Sequence, residues 1–190
     1  ATNIVIAGGT LKLTTNLVAS ALGAGTGGRI TVADGGRLAL EYLYTNTANA
    51  AYSSLVYDKD IHIAGHGPDG QGAIYHANAL ANNIWFSTLG RVTLDADASI
   101  GGNARIDFRA GWSGRTYKGR PQIYGPGKTL TVKVRLANRS AQMGLDLYNT
   151  DVEVGKVVVD EGASLGAEGT VNWNIPGGVD LLDGARLDCY

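Results

Sequence analysis

Apolar and polar residues alternate over several short stretches of this 190-residue chain, and one ten-residue pattern recurs four times without gaps. An apolar-x-apolar stretch is followed by an acidic residue, by small residues and by a further Leu or Ile. The four copies are Arg29–Leu38, Arg91–Ile100, Lys156–Leu165 and Gly178–Leu187. Because alternation with period two is typical of a strand with one buried face, each copy predicts a strand, a tight corner and a second strand.

Glycine recurs at the corner of this pattern, at Gly35, Gly162 and Gly184. A glycine at a corner can adopt a positive φ, so we expect that conformation at these three positions. Weaker copies fill the gaps, and the first apolar positions of all copies are 4, 30, 61, 92, 130, 157 and 179. A repeat of this length, with loops of variable size, is typical of a solenoid.

The sequence therefore predicts an all-β protein, a parallel β-solenoid (β-helix) of about seven irregular coils that forms a single domain over residues 1–190. Two stretches rich in Gly, Pro and short polar residues, Gly111–Gly127 and Tyr44–Ser54, are expected to protrude as loops. The alternative is an antiparallel β-sandwich, which also needs many short strands. Sandwich strands have no reason to resemble one another, so the repeat favours the solenoid.

Composition agrees with a folded β protein. The chain contains 28 Gly at no strict three-residue period and 4 Pro, which excludes collagen, and its 44% hydrophobic residues and net charge of -1 disfavour disorder. Cys189 is the single cysteine, so it either bridges to another chain or packs as a small buried hydrophobe, and we favour the second. No apolar run is long enough to span a membrane, and no cofactor is expected.

Several segments resemble a known family. Ile61–Gly67, Gly70–Ile74 and Val157–Leu165 are similar to the passenger-associated repeats of bacterial autotransporters and related secreted adhesins. This resemblance implies a right-handed parallel β-helix exported to the bacterial cell surface or beyond it. It also implies an adhesive role, in which the shape, ends and loops of the protein carry the function.

Charge is strongly segregated along the chain. Residues 105–139 contain nine basic residues and one acidic residue, whereas residues 140–190 contain two basic and nine acidic residues. Arginines interleaved with aromatic side chains can bind anionic glycans, and the adjacent acidic block disfavours nucleic acid. The predicted glycan-binding residues are Trp112, Arg115, Tyr117, Lys118, Arg120 and Tyr124.

A solenoid has two open ends, which favour pairing with another copy unless they are capped. We expect the oppositely charged blocks to guide a head-to-tail contact that builds a surface filament, or else further coils of a longer chain to cover the ends. The predicted self-association residues are Arg105, Arg109, Lys133, Arg135, Asp180, Asp183 and Asp188.

Catalytic patterns are sparse. His62 and His66 are four residues apart, but His62 is expected to face solvent and His66 to lie in a turn, so no metal site is predicted. No catalytic residue is assigned, and a non-enzymatic structural protein is the main prediction.

The alternative function is a carbohydrate-binding module or a β-helix polysaccharide lyase or hydrolase that acts on anionic glycans. Asp95 and Asp97 share one strand face, and Arg105, Asp107 and Arg109 share another, while Ile106 and Phe108 point inward. Such faces could hold an acidic sugar or a cation, although outward strand positions are polar in any solenoid.

Overall fold

A computed structural model describes residues 3–13, 28–40, 60–77, 87–109, 111–112, 115–116, 120–136 and 144–190. Regular structure within these ranges consists of β-strands and includes no helix. In chain order the strands are β1 (Ile4–Ile6), β2 (Gly9–Leu13), β3 (Arg29–Val32), β4 (Gly36–Leu40), β5 (Asp60–Gly65), β6 (Ile74–His76), β7 (Ser87–Leu89), β8 (Arg91–Gly102), β9 (Ile106–Phe108), β10 (Gly111–Trp112), β11 (Arg115–Thr116), β12 (Gln122–Val134), β13 (Leu145–Tyr148), β14 (Asp151–Val159), β15 (Ser164–Glu168), β16 (Asn172–Asn174), β17 (Val179–Leu181) and β18 (Arg186–Cys189).

Most of these strands belong to two parallel sheets. An eleven-stranded sheet contains a path of seven strands, β1-β3-β5-β8-β12-β14-β16, and β2, β4, β6 and β17 extend it alongside. A five-stranded sheet has the order β18-β15-β13-β9-β7. Among the described strands, only β10 and β11 pair antiparallel. An antiparallel sandwich is therefore not the arrangement of these strands.

Residues in register across the sheets form continuous ladders of apolar side chains. The first ladder is Ile4, Ile30, Ile61, Val92, Ile123, Val152 and Trp173. The second ladder is Leu11, Leu38, Ile74, Ile100, Val132, Val159 and Leu181. The third ladder, in the five-stranded sheet, includes Ile106, Leu145, Leu165 and Leu187. The core is formed by the ladder side chains between the first and last positions of each ladder, with Ile4 and Leu11 packed against it.

We number the steps along the first ladder as levels one to seven. In order, the seven levels contain β1 and β2; β3 and β4; β5, β6 and β7; β8 and β9; β12 and β13; β14 and β15; and β16, β17 and β18. The ladder side chains of levels two to six are buried. Burial of one large aliphatic side chain contributes about 1.5–3 kcal/mol, so stacking of successive levels is the main source of stability.

The predicted glycine corners are confirmed. Gly35, Gly162 and Gly184 have φ values of 77°, 65° and 65°. At the first of these corners the Gly36 N–H donates to the Ala33 carbonyl over 2.9 Å, and the turns that contain Gly162 and Gly184 close with equivalent bonds. The recurring glycine therefore marks the tight turn that connects one strand of a level to the next.

The predicted repeat positions are only partly correct. Positions 4, 30, 61 and 92 do lie in one ladder. Leu130, Val157 and Val179 instead belong to a neighbouring ladder that includes Gly65 and Ala98, whereas the first ladder continues through positions 123, 152 and 173. The error arose because the strand-corner-strand pattern suits more than one corner of a level.

The predicted loop Gly111–Gly127 is also partly wrong. Its first part contains the β10–β11 hairpin, but β12 begins at Gln122 and runs through Pro126. The turn-forming residues mark a bend within that strand, where the register shifts between Gly125 and Thr129 and Gly127 has a φ of 73°. The other predicted loop, Tyr44–Ser54, lies outside the described residues.

Candidate functional site

Five charged side chains form a buried cluster on the outward side of the five-stranded sheet. β9 points Ile106 and Phe108 into the core, so Arg105, Asp107 and Arg109 face the opposite side, as the sequence predicts. Asp107 pairs in register with Asp146 of β13, and Glu168 lies at the end of β15. We call Arg105, Asp107, Arg109, Asp146 and Glu168 the charged cluster.

Each arginine of the charged cluster bridges two levels. Arg105 Nε donates to Asp107 Oδ1 over 2.5 Å, and its Nη2 donates to Asp146. Arg109 Nη2 donates to Asp146 Oδ2 over 3.1 Å and also to Glu168. Two side chains from level four thus hold carboxylates of levels five and six.

Burial dominates the electrostatics of the charged cluster. The side chains of Asp107 and Asp146 are fully buried. Burial raises the pKa of Asp107 from 3.8 to about 7, against the lowering effect of Arg105 and with a further increase from Asp146. Arg109 Nε lies 3.1 Å from Asp107 Oδ2 without a hydrogen bond between them, so this contact is electrostatic only. When Asp107 is protonated, the cluster holds two positive and two negative charges.

Two residues of the predicted self-association surface, Arg105 and Arg109, belong to the charged cluster. Arg105 and Arg109 are not displayed on an open surface, because both side chains are largely buried in the charged cluster. Arg109 also stacks on Tyr148, with Cζ 4.5 Å from the ring centroid. A contact between copies that used either arginine would first have to break these interactions.

Lys133 and Arg135 also have partners within the chain. Arg135 Nη2 lies 2.7 Å from Asp160 Oδ2, and Lys133 Nζ donates to the Gly70 carbonyl over 3.0 Å. Asp160 belongs to the acidic block, yet stacking places it one level from Arg135. Basic and acidic residues of the two blocks therefore pair inside one molecule at this point, and the head-to-tail contact stays a prediction.

The three predicted acidic residues lie at level seven. Asp180 Oδ2 is 2.6 Å from the ammonium of Lys156, and Asp188 pairs with Arg186 at 2.9 Å. Asp183 is exposed at the last corner. This group is the part of the predicted self-association surface that lies at an end of the described stack.

Two predicted glycan-binding side chains are described. Arg120 Nε donates to Asp151 over 2.8 Å, and its Nη2 donates to the Thr170 carbonyl over 2.8 Å. Tyr124 is partly exposed and lies in register between Thr93 and Glu153 on the outward face of the large sheet.

Of the other four predicted glycan-binding residues, the structure describes only the backbone of Trp112 and Arg115. In the β10–β11 hairpin Trp112 pairs with Arg115 through the backbone. The side chains of both residues, together with Tyr117 and Lys118, lie outside the described part of the chain.

A histidine between two carboxylates was missed at the sequence level. His62 Nδ1 lies 2.8 Å from Asp95 Oδ1, and its Nε2 lies 3.2 Å from Asp60 Oδ2. Each ring nitrogen of His62 thus faces a carboxylate oxygen, one from its own strand and one from the neighbouring level. Asp95 is 33 residues from His62 in sequence, and this separation is close to one repeat. The repeat length was therefore the signal that could have predicted this pair.

A second feature that the sequence analysis missed is the set of contacts that holds the Arg37 side chain. Its Nε donates to the Gly72 carbonyl over 3.0 Å, and its guanidinium hydrogen-bonds to Asp69 and stacks 4.7 Å from the centroid of the Tyr75 ring. The hydrogen bonds from Arg37 lower the pKa of the Asp69 carboxyl. The turn between β5 and β6 is thereby fixed to the neighbouring level.

Level seven is the most open part of the described chain. Its ladder residues Trp173, Leu181 and Leu187 are 41%, 49% and 38% exposed. None of the residues from 168 to 190 is buried. Cys189 is exposed as well, so the expected burial of this thiol is wrong. Among the described strands, β16, β17 and β18 each pair on one side only.

Comparisons of this chain with protein-family models, with curated proteins and with solved structures found no match. Within the described ranges, no helix could cross a membrane and no group of His, Cys, Asp and Glu is suited to a metal ion. The resemblance to autotransporter passengers therefore stays a prediction.

Proposed function

We propose that this chain is a parallel β-solenoid of seven coils that acts as a non-enzymatic structural and adhesive element on the bacterial cell surface. The observation that carries the proposal is the second ladder, in which seven apolar residues from Leu11 to Leu181 follow one another in parallel register. Such a stack extends in one direction and presents its outward side chains in straight rows.

The outward face of the large sheet suits adhesion. Thr31, His62, Thr93, Tyr124 and Glu153 lie in register on successive strands. Neighbouring strands are about 4.8 Å apart, so this row presents polar and aromatic groups at a regular spacing. A regular polar row can contact an extended polymer or another surface without a cavity. The extracellular setting rests on the resemblance to autotransporter passengers.

Display of the chain on a non-adherent bacterium tests this proposal. We expect cells that display it to attach to host cells or glycan-coated surfaces more strongly than cells with an empty display vector. A matched control carries Ile63→Asp, which places a charge in the core and should abolish the fold and the attachment together. Attachment no greater than that of the empty vector, with the displayed chain folded, would contradict the adhesive role.

The second candidate function is recognition of an anionic glycan at Arg120 and Tyr124. The observation in its favour is that Arg120 is fixed by Asp151 and Thr170 at the start of β12, the strand that also displays Tyr124. Aromatic and guanidinium groups bind sugar rings and carboxylates. Tyr124→Ala should weaken binding to a glycan array, whereas Thr31→Ala on the same outward row should not. Equal binding by both variants would exclude this site.

A further inference from the structure

Two aspartates of the charged cluster lie side by side on neighbouring strands. Asp107 of β9 and Asp146 of β13 are directly in register, and neighbouring strands are about 4.8 Å apart. Both side chains are fully buried. Two ionised carboxylates at such a spacing repel each other strongly when no solvent screens them, so a buried pair of this kind retains a proton.

One oxygen of each aspartate lacks a hydrogen-bond donor. Arg105 donates to Asp107 Oδ1 over 2.5 Å and also to Asp146 Oδ2, which accepts from Arg109 as well. Asp107 Oδ2 and Asp146 Oδ1 are buried and accept no hydrogen bond from the described part of the chain. A buried acceptor without a donor destabilises the folded state. A proton on one of these two oxygens would supply a donor for the other.

The charges of the cluster balance when the pair holds one proton. Arg105 and Arg109 carry two positive charges, whereas the three carboxyl groups would carry three negative charges if all were ionised. The other described groups near the pair do not supply a further positive charge. β7 places the neutral Thr88 in register with Asp107, and burial lowers the pKa of His76, which contacts the Arg105 carbonyl, to about 4. In the described part of the chain, the charged and titratable groups around Asp107 are Arg105, Arg109, Asp146 and Tyr148 of β13, Glu168 of β15 and His76 of β6.

We propose that Asp107 and Asp146 share one proton in the folded protein, and that this proton makes the charged cluster a pH-sensitive clamp on levels four, five and six. While the proton is present, Arg105 and Arg109 hold the carboxylates of levels five and six. Loss of the proton leaves an excess negative charge in the buried cluster, which favours local separation of β9 from β13. The inference goes beyond the proposed adhesive role and does not depend on it.

Infrared difference spectroscopy of the folded chain tests for the shared proton. Burial raises the pKa of Asp107 to about 7, so we expect the absorption of one protonated carboxyl group at about pH 6 and its loss at about pH 8.5. Asp107→Asn and Asp146→Asn should each remove this absorption, because two carboxylates then remain for two arginines.

Asp151→Asn is the matched control for the infrared measurement. Asp151 also pairs with an arginine, Arg120, but the Asp151 side chain is 37% exposed, so this variant should keep the absorption. The absence of a protonated carboxyl group at about pH 6 in the unmodified chain would overturn the proposal. An absorption that persists in both Asp107→Asn and Asp146→Asn would also overturn it, since the proton would then belong to another group.

Amide hydrogen exchange tests the clamp itself. The amides of β13 are compared with those of β5, which lies at level three outside the cluster, so that the intrinsic pH dependence of exchange cancels in the ratio. We expect the ratio to rise about tenfold between about pH 6 and about pH 8.5, because each pH unit above the pKa favours the deprotonated form by a factor of ten. The ratio should stay constant in Asp107→Asn, whose neutral side chain imitates the protonated acid. A ratio that is independent of pH in the unmodified chain would overturn the clamp.

Discussion

Levels six and seven carry the same kinds of side chains in the same ladders, yet their environments differ. Val159 is fully buried, whereas Leu181, its neighbour in register, is 49% exposed. Leu165 is 1% exposed and Leu187 is 38% exposed. The difference lies in what is stacked on each level: level six has described strands on both sides, and level seven has them on one side. An apolar ladder residue with neighbouring levels on both sides is therefore expected to stabilise the fold more than one with a neighbouring level on one side.

The largest contrast is expected between two arginines. Arg109 lies in the buried charged cluster, so Arg109→Met removes one of the two arginines that hold the buried Asp146 and also the ion pair with Glu168, and should lower the free energy of unfolding by about 3–5 kcal/mol. Arg186→Met removes an ion pair of level seven whose arginine is 41% exposed, and should cost less than about 1 kcal/mol. Urea denaturation of both variants measures the difference; equal losses would contradict the role of burial.

A similar contrast is expected for leucine. Leu165→Ala creates a cavity between levels five and seven and should cost about 2–5 kcal/mol. Leu187→Ala shortens a side chain that is already partly in solvent and should cost less than about 1 kcal/mol. Denaturant midpoints of the two variants test this directly. If Leu187→Ala proved as costly as Leu165→Ala, level seven would have to be covered in solution.

Two buried groups predict opposite pH dependences. Burial lowers the pKa of His76 from 6.5 to about 4, so its contribution to stability is lost as pH falls through that range. Burial raises the pKa of Asp107 from 3.8 to about 7, so its contribution is lost as pH rises from about 4 to 7. The two effects have opposite signs, so they oppose each other in the native chain between about pH 4 and 6.5.

Single substitutions should separate these two effects. Asp107→Asn should leave a protein whose stability rises between pH 4 and 6.5, and His76→Gln should leave one whose stability falls toward pH 7. Denaturation curves across this range measure both slopes. Two variants with the same slope would contradict the assignment of either group.

The smallest contrast concerns glycines. A Cβ at Gly36 would lie 2.4 Å from the Ile6 carbonyl oxygen, so Gly36→Ala should cost about 1–3 kcal/mol. Gly8 has no atom within 4 Å of an added Cβ, and Gly8→Ala should change stability by less than about 0.5 kcal/mol. Thermal denaturation of the two variants tests how tightly the first two levels are stacked; no difference would argue against close stacking.

The sequence predicted the parts of the fold that depend on local chemistry. Alternation identified strands such as β3 and β14, and the recurrence of glycine identified the corners at Gly35, Gly162 and Gly184. It also predicted that Ile106 and Phe108 point inward. Each of these features is determined by residues close together along the chain.

Features that depend on register could not be predicted in the same way. Leu130 and Ile123 are both apolar strand residues, and only the pairing of β12 with β8 shows which of them continues the ladder of Val92. The burial of Arg105 and Arg109 also depends on partners at other levels, including Asp146, which is 41 residues from Arg105. Counts of charged residues along the chain therefore indicated separate basic and acidic blocks. They could not show that stacking pairs some of these residues within the molecule.

The most direct test of the stacked architecture is a pair of distances within one chain. Val5, Thr93 and Glu153 belong to one outward row, with three steps from Val5 to Thr93 and five from Val5 to Glu153. Spin labels at these sites, in a Cys189→Ser background, should give backbone separations of about 14 Å and about 24 Å, because each step adds about 4.8 Å. Distances that do not increase with the number of steps would contradict the stack of coils.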